Sequence, residues 1–216
     1  MSIHVFDAYG TLLDVHAPMK HLQARIGAHA EAVSRHLRAK QLEYTWVRTL
    51  GGFPWRDFRA LTADALDYAL AAHGITADAA FKADFVALYD RLDAFPDVPA
   101  ALSRLKAQGA RLAILSNGTR DMLAAACAAA GIASDLDAVV SVDAIERFKT
   151  AREVYALVTA RFGAAPADIA FYSSNRWDVA AGTAFGFVTT WVNRAGAPDE
   201  YADLPPTRVV TSLAEV

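Results

Sequence analysis

Cysteine is almost absent from this 216-residue chain, Cys127 being the only one. That excludes an internal disulfide and any multi-cysteine zinc or iron–sulfur centre, and it fits a reducing cytoplasm. An excess of one charge is missing too. Lysine and arginine number 21 against 24 acidic residues, a net charge of −3, so no basic surplus exists to grip a nucleic-acid backbone. Long apolar runs are also lacking: the longest, Met122–Ala133, is too short and too alanine-rich to span a bilayer. The amino terminus has no basic segment, and His4 and Asp7 interrupt its apolar stretch, so it does not read as a signal peptide. All six histidines (His4, His16, His21, His29, His36, His73) precede residue 74, which leaves none for a Ser-His-Asp triad at later strand ends. HExxH, Walker A and GxGxxG patterns do not occur. Together these absences point to a cytoplasmic protein with no nucleic-acid or membrane partner.

What the chain has is apolar matter in quantity, 54% of its residues, enough for a sizeable core. Short apolar bursts occur at Ile3, Val5 and Phe6, at Leu112–Leu115, Val139–Val142, Ile169–Tyr172 and Val188–Val192, with a last strand near Arg208–Thr211. Helical patterns separate the later ones. Strands alternating with helices predict parallel βαβ units and an α/β fold with a Rossmann-like sheet. Residues 14–95 differ, reading as helix after helix. Val33, Leu37, Tyr44 and Val47 mark one helix, Phe58, Leu61, Ala65 and Leu66 a second, Phe81, Phe85 and Leu88 a third. The expected organisation is therefore a core of 1–13 and 96–216 with a helical cap, 14–95, inserted after the first strand. Gly51-Gly52-Phe53-Pro54 reads as a turn within that cap.

In open parallel sheets, ligands bind beyond the carboxyl ends of the strands. The residues there are Asp7-Ala8-Tyr9-Gly10-Thr11, Ser116-Asn117-Gly118, Lys149 and Ser173-Ser174-Asn175, with Trp177-Asp178 just beyond. Asp7 is either an Asx-turn acceptor or a nucleophile, and a nearby Lys149 favours the second by keeping it ionised. Ser116 and Ser173 are either turn and helix caps or part of an anion site at a helix start. Asp178 caps a helix, pairs with Lys149 or orients a water. Arg38, in line with Leu42 and Trp46 on one helix face, is a snorkelling surface residue or an anion ligand facing a cleft. Cys127, amid alanines, reads as a helix-packing residue.

Taken together, Asp-x-Tyr-Gly-Thr at 7–11, the segment Arg38–Trp46, Leu-Ser-Asn-Gly at 115–118 and Ser-Ser-Asn-x-Trp-Asp at 173–178 resemble the haloacid dehalogenase superfamily, and within it the (S)-2-haloacid dehalogenases. The resemblance covers essentially the whole chain. It implies hydrolysis of short (S)-2-haloalkanoic acids to (R)-2-hydroxyalkanoic acids with no cofactor and no metal, the partner being a small halogenated carboxylic acid. The residues do not decide whether fluoroacetate falls within that range. It also implies roles. Asp7 attacks C2 and forms an ester. Arg38 receives the halide with Asn117, and Ser116 holds the substrate carboxylate. Lys149 keeps Asp7 anionic. Tyr155, Ser173, Asn175 and Asp178 orient Lys149 and the hydrolytic water, with Thr11 in the catalytic set. Tyr9 joins the substrate contacts, and Leu42, Phe58 and Trp177 wall the pocket. Relatives pair as homodimers, for which exposed cap aromatics would serve.

Phosphatases of the superfamily carry a second Asp where this chain has Tyr9, and acids after the fourth strand where it has Ser174 and Asn175. A magnesium-dependent phosphatase, or a silent scaffold, is thus the alternative. One departure from the dehalogenase pattern is Thr150, where many relatives have proline after the lysine. It implies altered tuning of Lys149.

Overall fold

The computed structural model describes residues 2–15, 18, 23 and 25–216. His16 and His21 lie outside the described residues.

Strand β1 (Ile3–Phe6) is short, apolar and buried. It occupies the middle of a six-stranded sheet in the order β3-β2-β1-β4-β5-β6, with β2 (Arg111–Ser116), β3 (Ala138–Ser141), β4 (Ile169–Ser173), β5 (Val188–Val192) and β6 (Arg208–Val210). Every pairing is parallel. A strand buried on both faces has no reason to alternate polar and apolar residues, and β2 and β4 likewise read as continuous apolar runs. Since β2 and β4 flank β1, the chain reverses its direction of travel across the sheet at β1. That switch point opens a crevice beyond the carboxyl ends of these three strands. Register puts Phe6 level with Ile114 and Tyr172, so Asp7, Leu115 and Ser173 are the next residues outward.

Helices α1 (Ala30–Gly51), α2 (Phe58–Ala72), α3 (Ala79–Leu88) and α4 (Val98–Ala107) come between β1 and β2. The buried stripe of α1 is Ala30, Val33, Leu37, Gln41 and Thr45. Val47, one of the apolar residues that mark this helix in the sequence, is 48% exposed. It lies two residues past Thr45, about 200° round the helix from the buried stripe. Gly52, at φ +61, closes α1 in the left-handed conformation. Asp57 caps α2 by accepting the Ala60 N–H at 2.8 Å, which fixes where Phe58 begins that helix. The stretches that leave β1 and rejoin the core run side by side. Leu13 bridges Ala94 antiparallel, and the Phe95 N–H donates to the Leu12 carbonyl at 3.0 Å.

Helix α4 and then α5 (Arg120–Ala129), α6 (Arg152–Phe162) and α7 (Arg176–Phe185) complete the core. Cys127 is buried on α5 as a packing residue. No helix among the described residues is long and apolar enough to cross a membrane.

Candidate active site

Asp7 emerges from the end of β1, only 5% exposed. A carboxylate there is tolerable only if it is paired. Its Oδ1 accepts from Lys149 Nζ at 3.0 Å, and its Oδ2 accepts from Asn175 Nδ2 at 2.9 Å and Thr11 Oγ1 at 3.1 Å. Every one of these contacts is a donor, so the group they fit is the anion.

Lys149 is also buried, and its ammonium lies between two carboxylates, Asp7 and Asp178, the latter at 2.8 Å. Burial alone would lower its pKa, but Asp178 and Asp7 outweigh burial and hold it above its ordinary value. Lys149 therefore stays charged. Asp178, wholly buried on α7, is pushed up foremost by desolvation, and Lys149 opposes that shift. The Tyr155 hydroxyl donates to Asp178 Oδ1 at 2.7 Å. Burial and the neighbouring Asp178 raise that phenol well above its usual range, so it is a neutral donor. The Lys149–Thr150 peptide is cis. With threonine at 150, Nζ still reaches both carboxylates.

Short turns hold the loops around this charge cluster. Ser116 Oγ accepts the Gly118 N–H at 3.1 Å, and Ser173 Oγ accepts the Asn175 N–H at 3.2 Å. Both serine oxygens therefore do what the turn-cap reading expects, and both hydroxyls keep a hydrogen to donate. Asn117 Oδ1 accepts the Lys149 backbone N–H at 2.9 Å, which turns its Nδ2 away as a spare donor. Tyr9 is 3% exposed and packs on Phe58, with centroids 5.7 Å apart. Its hydroxyl is buried and has no hydrogen-bond partner among the described residues. Its ring rests on Gly118, where an added Cβ would meet Cε2 at 2.6 Å.

Arg38 reaches down from α1. Its Nη1 donates to Gln41 Oε1 at 2.7 Å and its Nη2 to Asn175 Oδ1 at 3.4 Å. Burial pulls the guanidinium below its ordinary pKa, while Tyr89, Asp7, Tyr9 and Asp178 push the other way. It makes no ion pair among the described residues. Both of its partners are neutral amides, so its charge is unpaired.

The structure thus brings Asp7, Thr11, Lys149, Tyr155, Asn175 and Asp178 into one hydrogen-bonded cluster that Arg38 joins through Asn175. Asn117 touches it through Lys149. The three wall residues divide. Phe58 stacks on Tyr9, whereas Trp177 meets Trp46 edge-on at 5.6 Å. Trp46, Trp177 and Tyr155 line an open groove of about 890 Å³ that does not include Asp7. Leu42 is half-buried on α1, one turn before Trp46.

Sequence reasoning gave no role to Gln41, Tyr89 or Ser174. The Ser174 hydroxyl donates to the Gly10 carbonyl at 2.7 Å, and its N–H donates to Thr11 Oγ1 at 2.8 Å, fastening the β1 loop to the β4 loop. Tyr89 is a buried aromatic beside Tyr9. Gln41 is fully buried, and the signal for it was a polar residue in the four-residue step Val33, Leu37, Gln41, Thr45.

A model of the haloacid dehalogenase-like hydrolase family matches residues 1–186. The chain is 43% identical over 213 residues to (S)-2-haloacid dehalogenase 1 of Pseudomonas sp. (strain CBS-3), a match spanning 98% of this chain and 93% of that protein. It is 41% identical over 212 residues to (S)-2-haloacid dehalogenase 4A of Burkholderia cepacia, spanning 98% and 91%. Among solved structures it resembles the L-2-haloacid dehalogenase of Xanthobacter autotrophicus with chloropropionic acid covalently bound. There the TM-score is 0.91 at 36% identity, over 100% of this chain and 96% of that one. With a site built on a paired carboxylate and an unpaired arginine, the chain belongs to the (S)-2-haloacid dehalogenases of the haloacid dehalogenase-like hydrolase family.

Proposed function

We propose that this chain hydrolyses short (S)-2-haloalkanoic acids to (R)-2-hydroxyalkanoic acids through an ester on Asp7. The observation that carries this reading is the opposition of two charges: a buried Asp7 carboxylate surrounded by donors, and an Arg38 guanidinium with no anion of its own. A nucleophile and a receptor for a departing halide are what such a displacement needs. The names of the relatives and the chloropropionic acid bound in the Xanthobacter protein support the substrate class.

Asp7 Oδ1, with one donor, is the freer oxygen and attacks C2 opposite the carbon–halogen bond. The bond to carbon forms as the halide leaves with its electron pair toward Arg38 and the Asn117 amide nitrogen. Attack from behind inverts C2 once. The substrate carboxylate takes the spare hydrogen of Ser116, and the orphaned Tyr9 hydroxyl gains an acceptor, which relieves the cost of leaving a buried O–H unpaired. Water then adds to the Asp7 carboxyl carbon. Negative charge develops on Oδ2, where Thr11 and Asn175 already donate. Asp178, pushed up by burial and so suited to accept a proton, takes the one released by the water. The carboxyl–oxygen bond breaks, the leaving alkoxide takes the remaining water proton from the new Asp7 carboxyl group, and the hydroxy acid departs with C2 untouched in this step. Asp7 is left a carboxylate, and Asp178 releases its proton to solvent.

The helices of residues 14–95 act as a cap over the crevice. Arg38 meets Asn175, Phe58 meets Tyr9, Trp55 stacks on Phe148 at 4.6 Å, and Thr49 Oγ1 accepts the Phe148 N–H at 3.2 Å. Phe58, packed on Tyr9, excludes bulk water on that side, which strengthens the charge interactions inside. Catalysis needs no metal: the Lys149 ammonium occupies the place between Asp7 and Asp178 where a divalent cation would sit in an acid-rich site. The protein works in the cytoplasm, which cell fractionation checks, and two copies pair through the exposed Val47, Leu50 and Phe53.

Halide release from the separated enantiomers of 2-chloropropanoate, with chelator in excess, tests the reaction. Release from the (S) enantiomer alone, giving (R)-lactate, is the expected result. Hydrolysis of a phosphate ester only when magnesium is added, with no halide released, would overturn it.

A further inference from the structure

Arg38 is aimed by a residue that carries no charge. On α1, Gln41 stands one turn beyond it, fully buried. Gln41 Oε1 accepts from Arg38 Nη1 at 2.7 Å, and Gln41 Nε2 donates to Thr62 Oγ1 on α2 at 2.6 Å. The Thr62 hydroxyl in turn donates to the Phe58 carbonyl at 2.7 Å. This chain of bonds admits one orientation of the amide. Thr62 has given its only hydrogen to Phe58, so it can only accept, and the glutamine atom facing it must be nitrogen. The guanidinium has donors alone, so the atom facing it must be oxygen. Both ends of the amide are thereby fixed. The bonds run from the α2 backbone to the guanidinium with no rotor left undetermined.

A carboxylate in the same place would hold Arg38 as firmly and would also neutralise it. Glutamine supplies the geometry and leaves the charge. An arginine already paired with an acid has little attraction left for an outgoing anion, whereas one held by amides keeps it. Resting on the reading of Arg38 as halide receptor, we propose that Gln41 is a positioning residue for the leaving halide: it fixes the guanidinium through a neutral acceptor and so reserves its charge for the anion.

Two variants of the full chain separate geometry from charge. Gln41→Met keeps the volume and removes the acceptor. Gln41→Glu keeps an acceptor and adds the opposing charge. Each is measured in single turnover with enzyme in excess, using (S)-2-chloropropanoate and (S)-2-bromopropanoate, with inhibition by added chloride and bromide as a second readout. Both variants are expected to slow halide release by about ten- to a hundredfold, the scale of one lost charge-assisted contact. The loss is expected to be larger for chloride, the poorer leaving group, with halide inhibition weakened and ester hydrolysis after the first step unchanged. A merely structural role would slow both steps together. If Gln41→Glu does not fold, Gln41→Met carries the test alone. Wild-type halide inhibition and a wild-type chloride-to-bromide ratio in the folded variants would overturn the proposal. Arg38→Met is run beside them. Undiminished halide inhibition there would remove the halide reading of Arg38 itself, and the role of Gln41 with it.

Discussion

Asp7 and Lys149 are each costly to bury and inexpensive to bury together. The pair holds because each member has further partners: Thr11 and Asn175 donate to Asp7, and Lys149 also donates to Asp178, which Tyr155 holds from the far side. Asp7→Asn keeps the shape but removes the carboxylate proposed as nucleophile, and it leaves Lys149 still paired with Asp178. Turnover should fall below detection while the melting transition stays cooperative, and circular dichroism with a halide assay reads both. Full residual activity would sink the ester mechanism. That Asp7 and Lys149 come together was legible in the sequence because strand-end residues converge on one edge of a parallel sheet. Gln41 was not, since a polar residue in a helix stripe reveals nothing of its partner until a second helix is packed against it.

Between elements, Asp97 is the main tie. Standing before α4, it accepts two bonds from Arg194 at 3.0 and 2.9 Å, one from the Ser212 hydroxyl at 2.7 Å and one from the Leu213 N–H at 2.6 Å. Arg194 passes the link on to the Thr11 carbonyl at 3.0 Å, inside the loop that follows β1. Burial opposes ionisation of Asp97, but Arg194, Ser212 and Leu213 outweigh it and hold the carboxyl below its usual range. A group depressed in the folded state stabilises above its unfolded pKa, and that stability is lost as pH falls through the lowered value. Asp97→Asn should therefore cost about 1–3 kcal/mol in urea denaturation at neutral pH. Its deficit against the wild type should shrink as the pH drops below the ordinary carboxylate range. A deficit independent of pH would mean that the charge contributes nothing. The sequence places Asp97 only just inside the second core segment, which begins at residue 96. The convergence of the start of α4, the segment after β5 and the carboxyl terminus on one carboxylate depends on three segments far apart in the chain.

At the scale of the whole molecule, the exposed residues Val47, Leu50 and Phe53 at the end of α1 and its turn are the apolar surface that a second copy would cover. Leu50 is 88% exposed. Burying a leucine contributes about 1.5–3 kcal/mol per side chain, so a symmetric pair of such contacts is worth forming. Sedimentation velocity should give twice the chain mass, and Leu50→Lys should shift it to one. A wild-type monomer at micromolar concentration would exclude the pairing. Periodicity marks Val47 as helical without saying which way it faces. The packing of α2 against the stripe of Leu37, Gln41 and Thr45 turned it outward.

Sequence alone determined the parallel sheet, the helical block after its first strand and the identity of the strand-end residues. Each of these is a local matter: short apolar bursts, helical spacing, and polar groups where a strand stops. Tertiary structure decided which of those groups meet and in what charge state. It set Lys149 between two carboxylates, spent the Ser116 and Ser173 oxygens on their own turns, and gave Arg38 amide partners in place of acids. The ties that assemble the site around Asp7 rest on distances of about 3 Å between residues more than a hundred positions apart, Asp7 and Lys149 at 3.0 Å and Asp7 and Asn175 at 2.9 Å. Hydrogen bonds are decided at that range, and no pattern along a chain encodes it until the elements have packed.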